Sequence, residues 1–331
     1  MVGYLAMTSF STWTKLGLVY GANGEWPWAR THAAMPLVWP LAGGRLRVYF
    51  ACRDALNRSA IGWVEVSAAD PVRVLAAAHV PALTVGKPGH FDDCGVYPGS
   101  LVQCGDRLRL YYSGWISGAR SPMFYAAIGV AESTDGGLTF ERITRAPVLD
   151  RTELDPVLVQ GPCVLPLPDG GYRMWYSSGL PWREEAGSLS ASYHIRTATS
   201  EDGLAWRREE TPAIPLSEGD RTLTRPCVVY EDGRYRMWFG ANRGEGSRLA
   251  YAESADGVTW DRQDDRAGLA LDGDPAQAFP WVQRGPEGLL LFYNGDRVGR
   301  NGFYVARQVV AEAAFHLGLR GPGSGGEVAP D

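Results

Sequence analysis

The chain has 331 residues, with 32 Lys and Arg against 37 Asp and Glu, which gives a formal charge of −5. Hydrophobic residues make up 45% of the chain and charged residues 21%, a balance that excludes an intrinsically disordered protein. No basic block is present to neutralise phosphate groups, so we expect no binding to nucleic acid.

The first residues do not have the charge and hydropathy pattern of a signal peptide, and no apolar run reaches the roughly 18 residues of a membrane span. The five cysteines are widely spaced and form no C-x-x-C pair, which favours reduced thiols over a disulfide framework or a zinc ribbon. We therefore expect a cytoplasmic protein that does not associate with a membrane.

A proline-containing apolar run recurs about every 60 residues, and a second apolar run follows each copy about a dozen residues later. A third run rich in small residues and a fourth that opens on an aromatic residue complete the copy, with Asp-Gly turns between runs. The first runs lie at 34–38, 96–100, 160–164, 224–228 and 278–282.

Four antiparallel strands in about 60 residues, repeated five times, predict an all-β fold, a five-bladed β-propeller whose blades start near residues 33, 95, 160, 224 and 278. The fifth copy has room for only three strands, and Thr12-Trp13-Thr14-Lys15 matches the ending of the fourth copy. We expect residues 10–20 to close blade five, residues 1–313 to form a single domain and residues 314–331 to be a flexible tail.

The turn at 133–140 has the S-x-D-x-G-x-x-F pattern of the Asp box of sialidases, and shorter versions follow at 200–206 and 254–260. We expect the Asp and Gly of each turn to satisfy a hairpin while the aromatic residue packs between blades.

In such a propeller, the loops that precede each first strand and those that join second to third strands line one mouth of a central funnel. These loops are rich in carboxylates, arginines and tryptophans, a combination that suits sugar binding because aromatic faces stack on pyranose rings and charged groups bind hydroxyls. The substrate-binding candidates are His32, His90, Tyr97, Gln160, Arg225, Arg243, Arg53, Trp115, Trp182, Asp296 and Arg297.

The repeats and the segments 91–98, 160–164, 225–228 and 235–238 resemble the five-bladed glycoside hydrolase superfamily of families 43, 32, 68 and 130, in a poorly characterised, glycosyl-hydrolase-like branch. The resemblance covers roughly residues 10–310. It implies a propeller that acts on or binds a small sugar or a glycoconjugate.

The sequence departs from this resemblance at the reacting groups. Family 43 enzymes resemble one another in an Asp-Pro start to blade one and a Glu-Gly-Pro type start to blade four, whereas this chain has Met35-Pro36 and Arg225-Pro226. Blade three begins Gln160-Gly161-Pro162, and an amide cannot donate the proton that a general acid supplies.

Glycoside hydrolysis ordinarily needs two carboxylates. The catalytic candidates are Asp93 and Asp92 against Glu153 or Asp155 of the next blade. Because neighbouring residues of an extended segment point in opposite directions, we expect Asp93 to face the funnel as base or nucleophile. His32 and His90 could exchange protons near neutral pH.

Several functions remain open. The first is hydrolysis or transfer of a glycosidic bond, including phosphorolysis with Arg225, Arg243 and Arg297 on the phosphate. The others are noncatalytic carbohydrate binding and a non-hydrolytic reaction on a sugar or nucleoside intermediate. No zinc-protease motif or glycine-rich phosphate loop is present, so we expect neither a metal nor a nucleotide cofactor; the oligomeric state stays open.

Overall fold

The computed structural model describes residues 12–308 apart from residues 186, 245, 269–275 and 297; the expected tail at 314–331 lies outside this range. Within the described residues the chain folds into strands and one 3₁₀ turn at Asp264–Arg266, which confirms the all-β prediction. In the described part of the chain, no helix is long and apolar enough to cross a lipid bilayer.

The described residues form twenty β-strands, which are numbered here in chain order. The first half contains β1 (Trp13–Tyr20), β2 (Thr31–Leu41), β3 (Arg45–Arg53), β4 (Ser59–Ser67), β5 (Val74–Ala77), β6 (Gly95–Cys104), β7 (Arg107–Ser117), β8 (Phe124–Ser133) and β9 (Glu141–Arg142). The second half contains β10 (Val159–Pro166), β11 (Tyr172–Glu185), β12 (Ser188–Ser200), β13 (Arg207–Arg208), β14 (Thr222–Glu231), β15 (Arg234–Asn242), β16 (Ser247–Ser254), β17 (Asp261–Arg262), β18 (Ala278–Gly285), β19 (Gly288–Asn294) and β20 (Phe303–Gln308).

Antiparallel pairing connects consecutive strands into meanders, namely β2 to β5, β6 to β9, β10 to β13 and β14 to β17. Strands β18, β19 and β20 continue the pattern, and β1 pairs antiparallel with β20 from Trp13 opposite Gln308 to Tyr20 opposite Phe303. One parallel residue pair joins β4 to β6, and another joins β12 to β14. Each of these two contacts links the third strand of one meander to the first strand of the next.

The first strand of each meander is irregular beside its proline. The residues before four of these prolines, Met35, Gly161, Arg225 and Phe279, have φ values of 57°, 62°, 52° and 54°. A residue before proline ordinarily prefers extended backbone, so this left-handed conformation is costly at Met35, Arg225 and Phe279, where it is held by the surroundings, whereas Gly161 adopts it readily. The register of each of these strands shifts at the same place, which turns these residues out of the strand ladder.

Side chains join the first strand of one meander to that of the next. Ser100 Oγ accepts a hydrogen bond from the Val164 N–H at 3.0 Å, and the thiol sulfurs of Cys163 and Cys227 accept from the N–H groups of Val228 and Val282, both at 3.2 Å. The five cysteines are free, and burial raises the pKa of the Cys163 thiol to about 11. Cys163 and Cys227 therefore serve as small packing and acceptor groups.

The Asp-box turns are structural, as expected. Ser133 Oγ donates to Asp135 Oδ1 at 2.6 Å, and the same carboxylate accepts from the N–H groups of Leu138 and Thr139. Phe140 is buried and packs edge-on against Tyr49 of the preceding meander, with ring centroids 5.8 Å apart. The turn thus holds a hairpin and an interface between meanders.

Candidate functional site

A cavity of about 640 Å³, called here the mouth cavity, opens where the loops at one end of the meanders meet. Its wall takes residues from the strands of every meander, including Arg53 at the end of β3, Tyr97 in β6, Trp115 in β7, Tyr193 in β12 and Phe279 in β18. Ser, Thr, Asn and Gln side chains supply neutral polar groups between these aromatic rings. The described lining contains no carboxylate.

Arg53 is the charged group in the described wall of the mouth cavity. Its guanidinium donates to Asn57 Oδ1 at 2.8 Å and to the Tyr97 hydroxyl oxygen at 2.9 Å, so both acceptors are neutral. Trp115 is fixed nearby, because its indole N–H donates to Ser59 Oγ at 2.9 Å. These contacts present a cation, a phenol and an indole on one side of the cavity.

A smaller space of about 20 Å³, called here the floor cavity, lies against the bulged residues and has room for about one water molecule. Met35, Tyr97, Gln160 and Arg225 are among its lining residues, and no carboxylate is present in the described lining. The resemblance to family 43 calls for an Asp at the position of Met35, and its Glu-Gly-Pro pattern calls for a Glu two residues before a proline, where blade three has Gln160 and blade four has Thr224; Arg225 directly precedes the blade-four proline. The structure therefore places a thioether, an amide and a guanidinium at the floor.

Arg225 is 2% exposed and lies at the centre of the floor. Its guanidinium donates to the carbonyl oxygens of Pro98 and Pro36, and its Cζ lies 5.8 Å from the centre of the Trp281 ring. Burial lowers the pKa of Arg225 to about 10, so the group is still a cation at neutral pH. Arg225 joins three meanders and also faces the floor cavity.

His32 is 8% exposed and lies outside the described lining of both cavities, although the preceding residue, Thr31, lies opposite Arg53 in the pairing of β2 with β3. The Nδ1 of His32 is 2.8 Å from Thr31 Oγ1. Burial lowers the pKa of His32, the positive charges of Arg53 and Arg300 lower it further, and Asp296 opposes them. Asp296 itself accepts hydrogen bonds from the backbone N–H groups of Gly299, Arg300 and Asn301, so it shapes its own loop.

Asp92 was expected to be catalytic, but its side chain is buried in an ion pair away from both cavities. It is 0% exposed, accepts from Arg142 Nε at 2.7 Å and accepts from the Tyr112 hydroxyl at 3.0 Å. Arg142 lies in β9, the last strand of the same meander. This placement gives Asp92 a structural role in tying the preceding loop to the outer strand.

Asp155, which was also expected to be catalytic, repeats this arrangement one meander later. It is 0% exposed and accepts from Arg208 Nε at 2.6 Å and from the Tyr176 hydroxyl at 3.0 Å, while Arg196 Nε lies 3.5 Å away. Asp155 therefore lies where Asp92 does, in a buried pair with the arginine of the last strand.

Asp220 forms the third pair of this kind. Arg262 in β17 donates to its carboxylate at 2.5 Å, and Arg243 Nε donates at 3.0 Å. Burial alone would raise the pKa of Asp220, but hydrogen bonds from Arg262, the Ser217 N–H and Arg243 hold it below its ordinary value. Arg243, expected in the sugar site, is thus engaged with Asp220 and with Asp264.

The remaining candidates lie outside the described lining of the mouth cavity. Asp93 Oδ2 accepts from the Gly89 N–H at 2.8 Å, Glu153 is exposed on its turn, and His90 is half-buried on the loop beside Asp93. Trp182 packs edge-on against Phe124, which does line the cavity, with ring centroids 6.0 Å apart. Arg297 lies outside the described residues.

The sequence interpretation missed several lining residues, including Met35, Phe279, Phe124 and Tyr193. Met35 and Phe279 directly precede the repeated prolines, so the repeat itself carried a signal for them. Phe124 and Tyr193 lie on third strands, and the repeat gives no signal that these rings reach the cavity. Among the described residues, no group of three or more His, Cys, Asp or Glu side chains is arranged to hold a metal ion.

No known protein-family model matches the chain. It is 41% identical over 302 residues to the uncharacterized protein MT1551 of Mycobacterium tuberculosis strain CDC 1551, a match that covers 89% of this chain and 98% of that protein. It is 40% identical over 302 residues, with the same coverage, to the uncharacterized protein Rv1502 of M. tuberculosis strain H37Rv.

Solved structures with a similar fold include glycoside hydrolases. A complex of BT0996 with RGII has a TM-score of 0.69 and 16% identity, covering 90% of this chain and 92% of that protein. A thermostable family-43 glycoside hydrolase has a TM-score of 0.58 and 17% identity, covering 91% and 96%. A Bombyx mori family-32 β-fructofuranosidase in complex with sucrose has a TM-score of 0.59 and 15% identity, covering 84% and 62%. The resemblance to this superfamily is confirmed at the level of the fold.

Proposed function

We propose that this chain, which belongs to the family of the Mycobacterium tuberculosis proteins MT1551 and Rv1502, binds a carbohydrate or a carbohydrate-containing conjugate in the mouth cavity of its propeller fold. The observation that carries this proposal is the makeup of the wall. Tyr97, Trp115 and Phe279 supply ring faces for sugar C–H surfaces, and Arg53, Asn57 and Gln160 supply donors and acceptors for hydroxyl groups.

Two neighbours in fold support a saccharide as the ligand. One solved structure is a complex with RGII, and the other contains sucrose. A cavity of about 640 Å³ lies within the range typical of small-molecule sites. Together with the wall chemistry, these neighbours favour a small sugar or the end of a glycan.

We further infer that the meanders form five blades of one ring, closed by β1. The pairing of β1 with β20 supports this closure. So does Asn294 of β19, whose side chain accepts from the Met35 N–H at 2.9 Å and donates to the Ala33 carbonyl at 2.9 Å. These bonds connect the last meander to the first and would leave the mouth cavity on the axis of the ring.

Binding without hydrolysis fits the described residues best. Glycosidases use two carboxylates about 5 to 9.5 Å apart around the bond they cleave. The described lining offers none, and Asp92 and Asp155 are engaged in buried ion pairs. Hydrolysis or transfer is the second candidate, favoured by the glycoside hydrolases among the fold neighbours, with Asp93 and Glu153 as its carboxylates.

A glycan array followed by isothermal titration calorimetry of each hit tests the proposal. We expect Trp115→Ala to weaken binding about tenfold, because the ring that covers the sugar is lost. Trp39→Ala is the matched control, since Trp39 lies near the C-terminal end of β2 and outside the described lining of the mouth cavity. Equal losses in both variants would contradict a site at Trp115.

The same hits are incubated with the wild-type protein, with and without phosphate, and products are followed by mass spectrometry. We expect the wild-type protein to form no product from any hit. We expect Asp93→Asn and Glu153→Gln to bind each hit as tightly as the wild type does. Product formation that either substitution abolishes would replace binding by catalysis as the function. Failure of every sugar to bind would reject the carbohydrate proposal.

A further inference from the structure

The charge of the mouth and floor cavities is unbalanced. Arg53 in the wall and Arg225 in the floor are both cations, yet neither forms an ion pair with a carboxylate of the described residues. Of the buried arginines among the described residues, Arg47 pairs with Glu65 at 2.7 Å and Arg196 with Asp155 at 3.5 Å, whereas Arg225 pairs with no carboxylate. Arg53 is partly exposed and likewise has no carboxylate partner among the described residues.

Arg225 makes the contrast sharpest, because burying a guanidinium away from water without an anion is expensive. Two of its N–H groups are satisfied by carbonyl oxygens, whereas Nε has no hydrogen-bond partner among the described residues. The floor cavity that Arg225 lines has room for about one water molecule, so the charge of Arg225 can act on a ligand through that space.

Arg53 lies above this floor in direct reach of a ligand. Its two hydrogen-bond acceptors, Asn57 Oδ1 and the Tyr97 hydroxyl, are neutral, so they orient the guanidinium without cancelling its charge. Tyr97 lines both cavities, and it therefore connects the two cationic positions. Burial is the main cause of the lowered pKa of His32, and the positive charges of Arg53 and Arg300 lower it further against the opposing charge of Asp296.

Resting on the proposed carbohydrate function, we propose that the sugar bound in the mouth cavity is acidic, with an oxyanion such as a carboxylate or a phosphate ester that pairs with Arg53 above Arg225. A guanidinium recognises both groups through the same paired N–H bonds. The absence of carboxylates from the described lining then has a direct reason, because a carboxylate there would repel the ligand.

Calorimetry with matched sugars tests this inference on the full-length protein. Galacturonate is compared with galactose, glucuronate with glucose, and galactose 6-phosphate and inorganic phosphate are titrated separately. We expect an acidic sugar to bind at least about tenfold more tightly than its neutral counterpart, with an affinity that falls as salt increases. The carboxylate and phosphate arms identify which oxyanion is preferred.

The test variant is Arg53→Gln, which we expect to weaken acidic-sugar binding about 10- to 100-fold and neutral-sugar binding by a much smaller factor, because a neutral sugar loses a hydrogen bond to a hydroxyl group but no ion pair. Arg53→Lys keeps the charge and should lose less. Arg45→Gln is the control: it removes the same charge at the opposite end of β3, outside the described lining of both cavities, where Arg45 pairs with Glu65.

The outcomes separate this inference from the function on which it rests. Neutral sugars that bind as tightly as acidic ones, or an Arg53→Gln variant that weakens both equally, would overturn the acidic-sugar inference and leave carbohydrate binding intact. Inorganic phosphate that binds as tightly as galactose 6-phosphate would also overturn it, because the site would then recognise a free anion. No binding by any sugar would reject the carbohydrate function itself.

Discussion

At the scale of single residues, the floor of the cavity is built from a position that repeats along the chain. The residue before each first-strand proline lines the floor cavity, and at four such positions it has left-handed backbone. Strain of this kind is retained where the surrounding structure holds it and is common at binding sites. Here it brings Met35, Arg225 and Phe279 to one small space.

The pKa of His32 is lowered first by burial and then by the positive charges of Arg53 and Arg300. Its lowered pKa means that the unfolded chain takes up a proton near 6.5 while the folded chain does so only at lower pH. Between those values the unfolded state binds more protons, so the contribution of His32 to stability is fully present above pH 6.5 and is lost as pH falls through this window.

We expect the ring carbons of His32 to titrate below pH 6.5 by NMR, with the signal assigned from a His32→Gln sample. Arg53→Gln should raise the pKa of His32, because it removes a nearby positive charge, whereas Arg45→Gln should leave it unchanged. A wild-type value at or above 6.5 would contradict the positive potential assigned to the wall.

At the scale of elements, the meanders are held by a repeated pair that connects the loop before the first strand to the last strand. The pairs are Asp92 with Arg142, Asp155 with Arg208 and Asp220 with Arg262. A tyrosine of the second strand also donates to the carboxylate in the first two pairs. The loop backbone is thereby fixed at the rim of the cavity by groups that do not enter it.

We expect Asp155→Asn to lower the free energy of unfolding by about 3 to 5 kcal/mol, because it leaves Arg208 and the buried Arg196 without their anion. Urea denaturation measures the loss. Asp106→Asn, in the exposed turn between β6 and β7, is the matched control and should change stability by less than about 0.5 kcal/mol. An Asp155→Asn variant as stable as the control would contradict the structural role.

The sequence pattern was sufficient to predict the strands, because prolines, Asp-Gly turns and alternating apolar runs are local signals. It was also sufficient to predict the structural role of the Asp-box turn at Asp135, whose partners lie within a few residues. The buried ion pairs of Asp92 and Asp155 could not be predicted from such local signals. Their partners lie 50 and 53 residues away, and only the return of the last strand brings them together.

At the scale of the whole molecule, the fold brings one residue or more from each meander to a single cavity. The hydrogen bonds of Asn294 to Met35 and Ala33 connect the last meander to the first, and Arg225 reaches the carbonyls of two others. If the meanders close into the ring that we propose, the scaffold would hold its mouth loops at fixed separations and so preorganise a binding site.

A crystal structure of the protein with an acidic sugar would locate the binding site directly. We expect the sugar in the mouth cavity, with a ring face on Trp115, an oxyanion on Arg53 and no pair of carboxylates flanking a glycosidic bond. A sugar bound elsewhere would contradict the site. Two carboxylates about 5 to 5.5 Å or 6.5 to 9.5 Å apart around the glycosidic bond would instead show a hydrolase.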